Sequence, residues 1–179
     1  MRKFEPIVID EPVHLVEYSD RWPTQFNNER LRLVNLIQCS TDSIQHIGST
    51  AVPRLSAKPI IDMMLGITEY SPQFSLIEKI VDAGYEDCGE AGLARRRYFR
   101  SRLDPNFNLH VVELEQKYWR ENLALRSFLL KSPEARNRYM AAKLSAIESG
   151  NNTLLSYSNA KNDVVAALIE AALTEFSAF

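Results

Sequence analysis

A carboxylate in the middle of an apolar run constrains this chain more than any other feature. The segment from Ile60 to Ile67 reads I-I-D-M-M-L-G-I, with Pro59 ahead of it and Gly66 near its end. It is too short to cross a bilayer and lacks a helical period, so it is expected to form a buried strand. Asp62 then sits where an uncompensated charge costs on the order of several kcal/mol. A cation, a metal ion or several N–H groups must therefore surround it.

Ser43 to Ile47 reads as a strand that ends at Gly48-Ser49. Glycine allows a sharp turn or a close approach, and the hydroxyls and amides of Ser49 and Thr50 can donate to phosphate oxygens. By itself this is also an ordinary strand-ending turn; beside a carboxylate strand it suits metal and nucleotide chemistry. His46 alternates with Ile44 on one strand face and is either a core histidine or a proton carrier. Arg54 and Lys58, in the loop that follows, are either exposed cations or phosphate contacts.

Around this centre the pattern predicts alternating elements. Val13 to Tyr18 reads as a short strand or extended arm within Pro6 to Tyr18. A helix capped by Ser19 or Asp20 runs to about Gln38, with Trp22, Phe26, Leu33 and Ile37 facing the sheet. Ser71-Pro72 opens another helix, its apolar face formed by Phe74, Ile77, Ile80 and Val81 up to Gly84, and Tyr85 to Cys88 begins a strand. Leu93 to Leu103, a turn at Asp104-Pro105-Asn106 and Phe107 to Leu114 read as a hairpin. Alternation puts Arg96, Tyr98, Arg100 and Arg102 on one face and Arg95, Arg97 and Phe99 on the other. Arginine forks match phosphate geometry, while a solvated basic edge explains the same residues. His110 and Val112 share a face of the second hairpin strand; Glu113 is on the other. Helices are expected at Gln116 to Lys131, from Ser132-Pro133-Glu134 to about Ser149, and from about Ser158 to Phe176, as a lobe over the sheet.

A formal charge of −2 gives no overall pull toward nucleic acid or membrane. Cys39 and Cys88 lack metal-type spacing and read as free thiols. The N-terminal segment lacks the apolar stretch of a secretory signal, so the expected compartment is the cytoplasm. Residues 1–179 are expected to form one domain, with a core at about 13–115 and a helical part at about 116–179.

The order of strand, Gly48-Ser49, twelve residues and Asp62 is similar to the signature of the nucleotidyltransferase (polymerase-beta-like) fold. More closely, I-G-S-T-A-V-P-R-L-S-A-K-P-I-I-D resembles the GrpB family of small bacterial proteins. The likeness continues through Arg97 to Phe99, Asn108 to Val111, Trp119, Arg126, Ser132-Pro-Glu, Tyr139 to Lys143 and Tyr157 to Lys161. The resemblance implies an α/β (α+β) fold: a nucleotidyltransferase-like mixed sheet flanked by helices, with a C-terminal helical part. It implies transfer of a nucleoside monophosphate from a nucleoside triphosphate to an unidentified acceptor, with Mg²⁺ or substituting Mn²⁺. The alternative is a non-catalytic nucleotide- or phospholigand-binding module.

On that resemblance Asp62 and His110 are the catalytic pair, and Asp62, with His110 or Glu113, is the metal-binding group. Gly48, Ser49, Thr50, Lys58, Arg97, Lys143 and Lys161 are the phosphate-binding residues. Family members fused to dephospho-coenzyme A kinase suggest nucleotide or coenzyme metabolism. The chain departs from the superfamily at Met64, where a second carboxylate usually shares the face of the first. Base, acceptor and oligomeric state are left open; nucleic acid and membrane are not the expected partners.

Overall fold

The computed structural model describes residues 10–70 and 74–177. Helix α1 (Arg21–Ile37) precedes strand β1 (Ile44–Ile47), a one-turn 3-10 segment (Ser49–Ala51) and strand β2 (Ile60–Ile67). Helix α2 (Phe74–Asp82) and strands β3 (Glu86–Asp87), β4 (Arg96–Ser101) and β5 (Asn106–Glu113) follow. The chain ends in helices α3 (Lys117–Lys131), α4 (Pro133–Glu148), α5 (Leu154–Ala160) and α6 (Asn162–Ser177). The sheet order is β1-β2-β5-β4-β3. β2 and β5 run parallel and the other pairs antiparallel, giving the expected mixed sheet with a helical C-terminal part.

Strand alternation divides the sheet into two surfaces. Ile44, Ile61, Met63, Leu65, Phe99, Leu109 and Val111 point to one side, where Trp22, Phe26 and Leu33 of α1 and Ile80 of α2 cover them. Burying each such side chain contributes about 1.5–3 kcal/mol, so this face supplies much of the fold's stability. Ile47, Met64 and Val112 point to the other side and pack on Trp119 of α3. A Cβ at Gly66 would run into the Leu114 side chain and lie 2.7 Å from the Trp119 ring, so only glycine lets α3 approach β2 this closely.

The helical part forms its own small core. Leu129, Ala135, Tyr139 and Leu168 close over Val52 and Leu55 from the loop between β1 and β2. Ser132 Oγ accepts from Ala135 N at 3.1 Å, with Pro133 opening α4, as the cap pattern predicted. Arg126 of α3 donates to His46 O at 2.7 Å and ties the helices to β1. This lobe stands over the Asp62 end of the second face without filling it.

Several expectations change. The arm has no strand at Val13 to Tyr18, only single bridges at Pro12 to Thr153 and Val16 to Ala57. Phe74 and Val81 are exposed, at 73% and 43%, because α2 turns Leu76, Ile77 and Ile80 inward. The last predicted helix is two: a Thr153–Ser156 capping box starts α5 early, and α6 begins after Lys161. The reading of Ser71-Pro72 as a cap, and that of Pro6 to Ile9, lie outside the described residues. Among the described residues, no helix is long and apolar enough to cross a membrane.

Candidate functional site

Asp62 faces the second side of the sheet, beside Asn108 on the parallel neighbour β5. Asn108 Nδ2 donates to Asp62 Oδ1 at 2.7 Å. The amide is held in that orientation because its own oxygen accepts from Tyr98 OH at 2.8 Å and Arg102 Nη2 at 3.0 Å. Glu11 from the N-terminal arm in turn pairs with Arg102. Asp62 Oδ2 is directed at the turn: a Cβ on Gly48, which has φ +69°, would lie 2.7 Å from it. Glycine is needed at 48 for both reasons.

His110 lies two residues beyond Asn108, on the same face. Its Nε2 is 3.9 Å from Asp62 Oδ1, too far for a direct hydrogen bond, and its Nδ1 is 3.0 Å from Tyr118 OH on α3. Burial pushes the His110 pKa below the ordinary histidine value, against the pull of Asp62. For Asp62, burial alone would raise the carboxyl, but His110, Lys58 and the Asn108 amide outweigh it and the net shift is downward. With His110 held neutral, Lys58 is the cation that balances this carboxylate.

These groups line a cavity of about 450 Å³ between the sheet and the helical lobe. The Gly48-Ser49-Thr50 turn and Lys58 come from the β1–β2 connection, Lys143 from α4 and Lys161 from the junction of α5 and α6. Lys143 is 1% exposed; it donates to Ser49 Oγ at 3.0 Å and to the Ser56 carbonyl. Burial, with Lys161 and Lys58 adding to it, pushes its pKa down to about 7, while Asp62 acts the other way. Lys161 lies over the rings of Tyr139 and Tyr157. Among the described residues, none of Lys58, Lys143 and Lys161 pairs with a carboxylate within 4 Å. The cavity wall therefore carries an excess of positive charge in a chain whose overall charge is −2.

The cavity thus gathers eight of the residues singled out in the sequence: Gly48, Ser49, Thr50, Lys58, Asp62, His110, Lys143 and Lys161. Two others stand elsewhere. Arg97 is on the opposite face of β4 and forks onto Asp87 of β3, with Nη2 to Oδ2 at 2.5 Å. Glu113, also on the opposite face, pairs with Arg95 and is out of reach of Asp62. His46 points away too: it stacks on Phe26 with ring centroids 4.6 Å apart and bonds Thr50 at 2.9 Å. Met64 is wholly buried in the Trp119 cluster. Among the described residues, no three His, Cys, Asp or Glu side chains converge as a metal cluster.

Sequence reading missed Asn108, Tyr118 and Arg96 as site residues. Asn108 was available from the two-residue period that pairs it with His110. Arg96, whose buried Nε has no hydrogen-bond partner, lines the cavity in place of Arg97. Tyr118 carried no signal, since its role depends on how α3 crosses β5.

Fold and site together define an α+β protein with a cationic cleft built around one buried carboxylate. The family model described as "GrpB protein" matches residues 12–171, and the chain belongs to the GrpB family. It is 30% identical over 160 residues to the glutamate-rich protein GrpB of Alkalihalophilus pseudofirmus, covering 86% of this chain and 91% of that one. A crystal structure of conserved protein GrpB from Enterococcus faecalis superposes with a TM-score of 0.79 at 27% identity, covering 91% of this chain and 99% of that one. A dephospho-CoA kinase of Mycolicibacterium paratuberculosis is 25% identical over 177 residues, covering 82% of this chain and 42% of the kinase.

Proposed function

We propose that the cleft binds a nucleoside triphosphate or a comparable polyphosphorylated ligand. The observation that carries this reading is the convergence of Lys58, Lys143 and Lys161 on a cleft where Asp62 offsets Lys58 and neither of the other two has a carboxylate within 4 Å. Lysines desolvated together repel one another, and a polyphosphate supplies the missing charge. Ser49 adds a hydroxyl beside them. The likeness to a region of a dephospho-CoA kinase is in keeping with a nucleotide or coenzyme ligand.

Transfer of a nucleoside monophosphate to an acceptor is the second reading, favoured by Asp62 Oδ2 pointing at the Gly48-Ser49 turn. A two-ion centre does not fit this donor set: Mg²⁺ wants several hard oxygen ligands, and Met64 is buried in an apolar cluster. One Mg²⁺ or Mn²⁺ arriving on the phosphates fits better, with Asp62 as its protein ligand and His110 beside it. Such an ion would neutralise phosphate charge. The chain's own residues hold the phosphates, and the Asn108 amide keeps Asp62 oriented.

Calorimetry with ATP, GTP, CTP and UTP, with and without Mg²⁺, on wild type and Asp62→Asn tests both readings. Binding that needs the ion and vanishes in Asp62→Asn supports the transfer reading. Binding that persists without the ion and in Asp62→Asn supports a phospholigand module, and no binding of any nucleotide overturns the proposal.

A further inference from the structure

The polyphosphate reading leaves the Ser49–Lys143 contact unexplained. A lysine that only neutralises phosphate does best with its ammonium open to the ligand. Lys143 instead lies 1% exposed against Ser49 Oγ at 3.0 Å, and Tyr139 OH is 3.4 Å from the same oxygen. Ser49 is half-buried and lines the cleft, so its hydroxyl meets both the buried amine and any ligand. Two further constraints fix the amine. The Ser56 carbonyl accepts from it, and the Tyr139 ring lies beneath it at 5.3 Å.

We propose that Ser49 is a nucleophile with Lys143 as its general base, forming a covalent phosphoseryl or nucleotidylseryl intermediate from a phosphoanhydride bound in the cleft. The substrate class in this inference rests on the polyphosphate reading above. In the forward step a lone pair of Ser49 Oγ forms the new O–P bond. The bridging P–O bond breaks, and its electrons leave with the departing phosphate or pyrophosphate. The Ser49 proton passes to neutral Lys143, which becomes the ammonium. Attack by water or an acceptor hydroxyl on the same phosphorus then releases Ser49 as the leaving group. Ser49 recovers its proton from Lys143, and the acceptor's proton goes to solvent.

The surroundings favour each part. Lys58 and Lys161 flank the amine from the β1–β2 connection and the α5–α6 junction; with burial they bring Lys143 down to about 7, and Asp62 on β2 opposes them. At neutral pH a large share of Lys143 is therefore the free base, as a serine–lysine pair requires. The same two cations face the charge that develops on the leaving phosphate. The pair also compensates for what the sheet lacks, because activation of a serine by an amine needs no second carboxylate.

The test treats the wild-type protein with an alkyl fluorophosphonate, whose fluoride leaves as the Ser49 O–P bond would form, and maps the adduct by peptide mass spectrometry. The expected result is a single adduct at Ser49, with a labelling rate that rises with pH about a midpoint near 7. Lys143→Met should slow that labelling by on the order of 10²-fold. Absence of a Ser49 adduct, or a rate indifferent to pH between 5.5 and 9, overturns the nucleophile. The wild-type pH profile stands without the variant, so a Lys143→Met protein that fails to fold does not blunt the test. ATP binding is measured separately by calorimetry. Binding without Ser49 labelling leaves the polyphosphate reading and removes this inference; labelling without binding removes the phosphoanhydride substrate.

Discussion

Two histidines, each on a strand next to β2, show how differently the two sides of this sheet are used. His46 and His110 are similarly buried, at 9% and 8%. His46 faces α1, where Phe26 stacks on it and Thr50 takes its Nε2. His110 faces the helical lobe, where Tyr118 takes one nitrogen and the other lies 3.9 Å from Asp62 Oδ1. One side is apolar where α1 and α2 cover it and includes a satisfied histidine, with the Arg97–Asp87 and Arg95–Glu113 pairs beyond that cover. The other is apolar only around Met64 and Trp119, and opens into a cationic cleft at Asp62. What a strand face does is therefore set by what covers it as much as by the residues it carries.

The strongest way to break that contrast is to open the closed face. Leu33→Ala removes a wholly buried side chain of α1 and should cost about 2–5 kcal/mol in urea unfolding. Nucleotide binding by the fraction that stays folded should be unchanged, because Leu33 does not line the cavity.

Acid should act on both histidines. Burial, with Arg126 nearby, lowers the His46 pKa to about 4, against the pull of Asp62, and His110 shifts in the same direction. Between the unfolded value near 6.5 and the folded value the unfolded chain binds more protons. The histidines' contribution to stability is thus full above about pH 6.5 and falls as pH drops toward 4, by roughly 3 kcal/mol for the whole His46 shift. His46→Asn should flatten part of that slope in denaturation series across this window. The depressed Asp62 carboxyl acts lower still, its contribution being lost only below about 3.8.

Cleft variants should move binding more than folding. Lys58→Met should weaken ATP binding by about tenfold, near 1.4 kcal/mol, and reduce its salt dependence. Metal-free inorganic triphosphate should bind several-fold tighter to Asp62→Asn than to wild type, since the variant removes an anion beside the phosphates. Calorimetry with chelator present checks both. The smallest effect is expected at Arg97, which pairs with Asp87 on the far face: Arg97→Gln should cost under about 1 kcal/mol and leave ATP affinity unchanged.

The arginine-rich strand shows where sequence reading stops. Alternation correctly sorted Arg96 and Tyr98 from Arg97 and Phe99, but both sets carry arginines. Only Phe99 packing into the α1 and α2 core sends Arg97 away from the cleft and leaves Arg96 facing it. Glu113 failed as a ligand for the same reason, since its parity along β5 is opposite to that of Asn108 and His110. Lys143 and Lys161 came from family likeness alone. On a helical wheel they are indistinguishable from solvated lysines.

The sequence by itself determined the β2 strand at Ile60–Ile67, the turn at Gly48, the isolated carboxylate and the Ser132-capped start of α4, because chain breaks, periodicity and caps are local. It also determined that Asp62 needed compensation. Tertiary structure alone decided who supplies it. The parallel pairing of β2 with β5 put Asn108 beside the carboxylate, and the α5–α6 break and the packing of α4 brought two lysines from more than 80 residues away to the same cavity. Those contacts depend on helix crossing and strand register, which no local pattern of residues specifies.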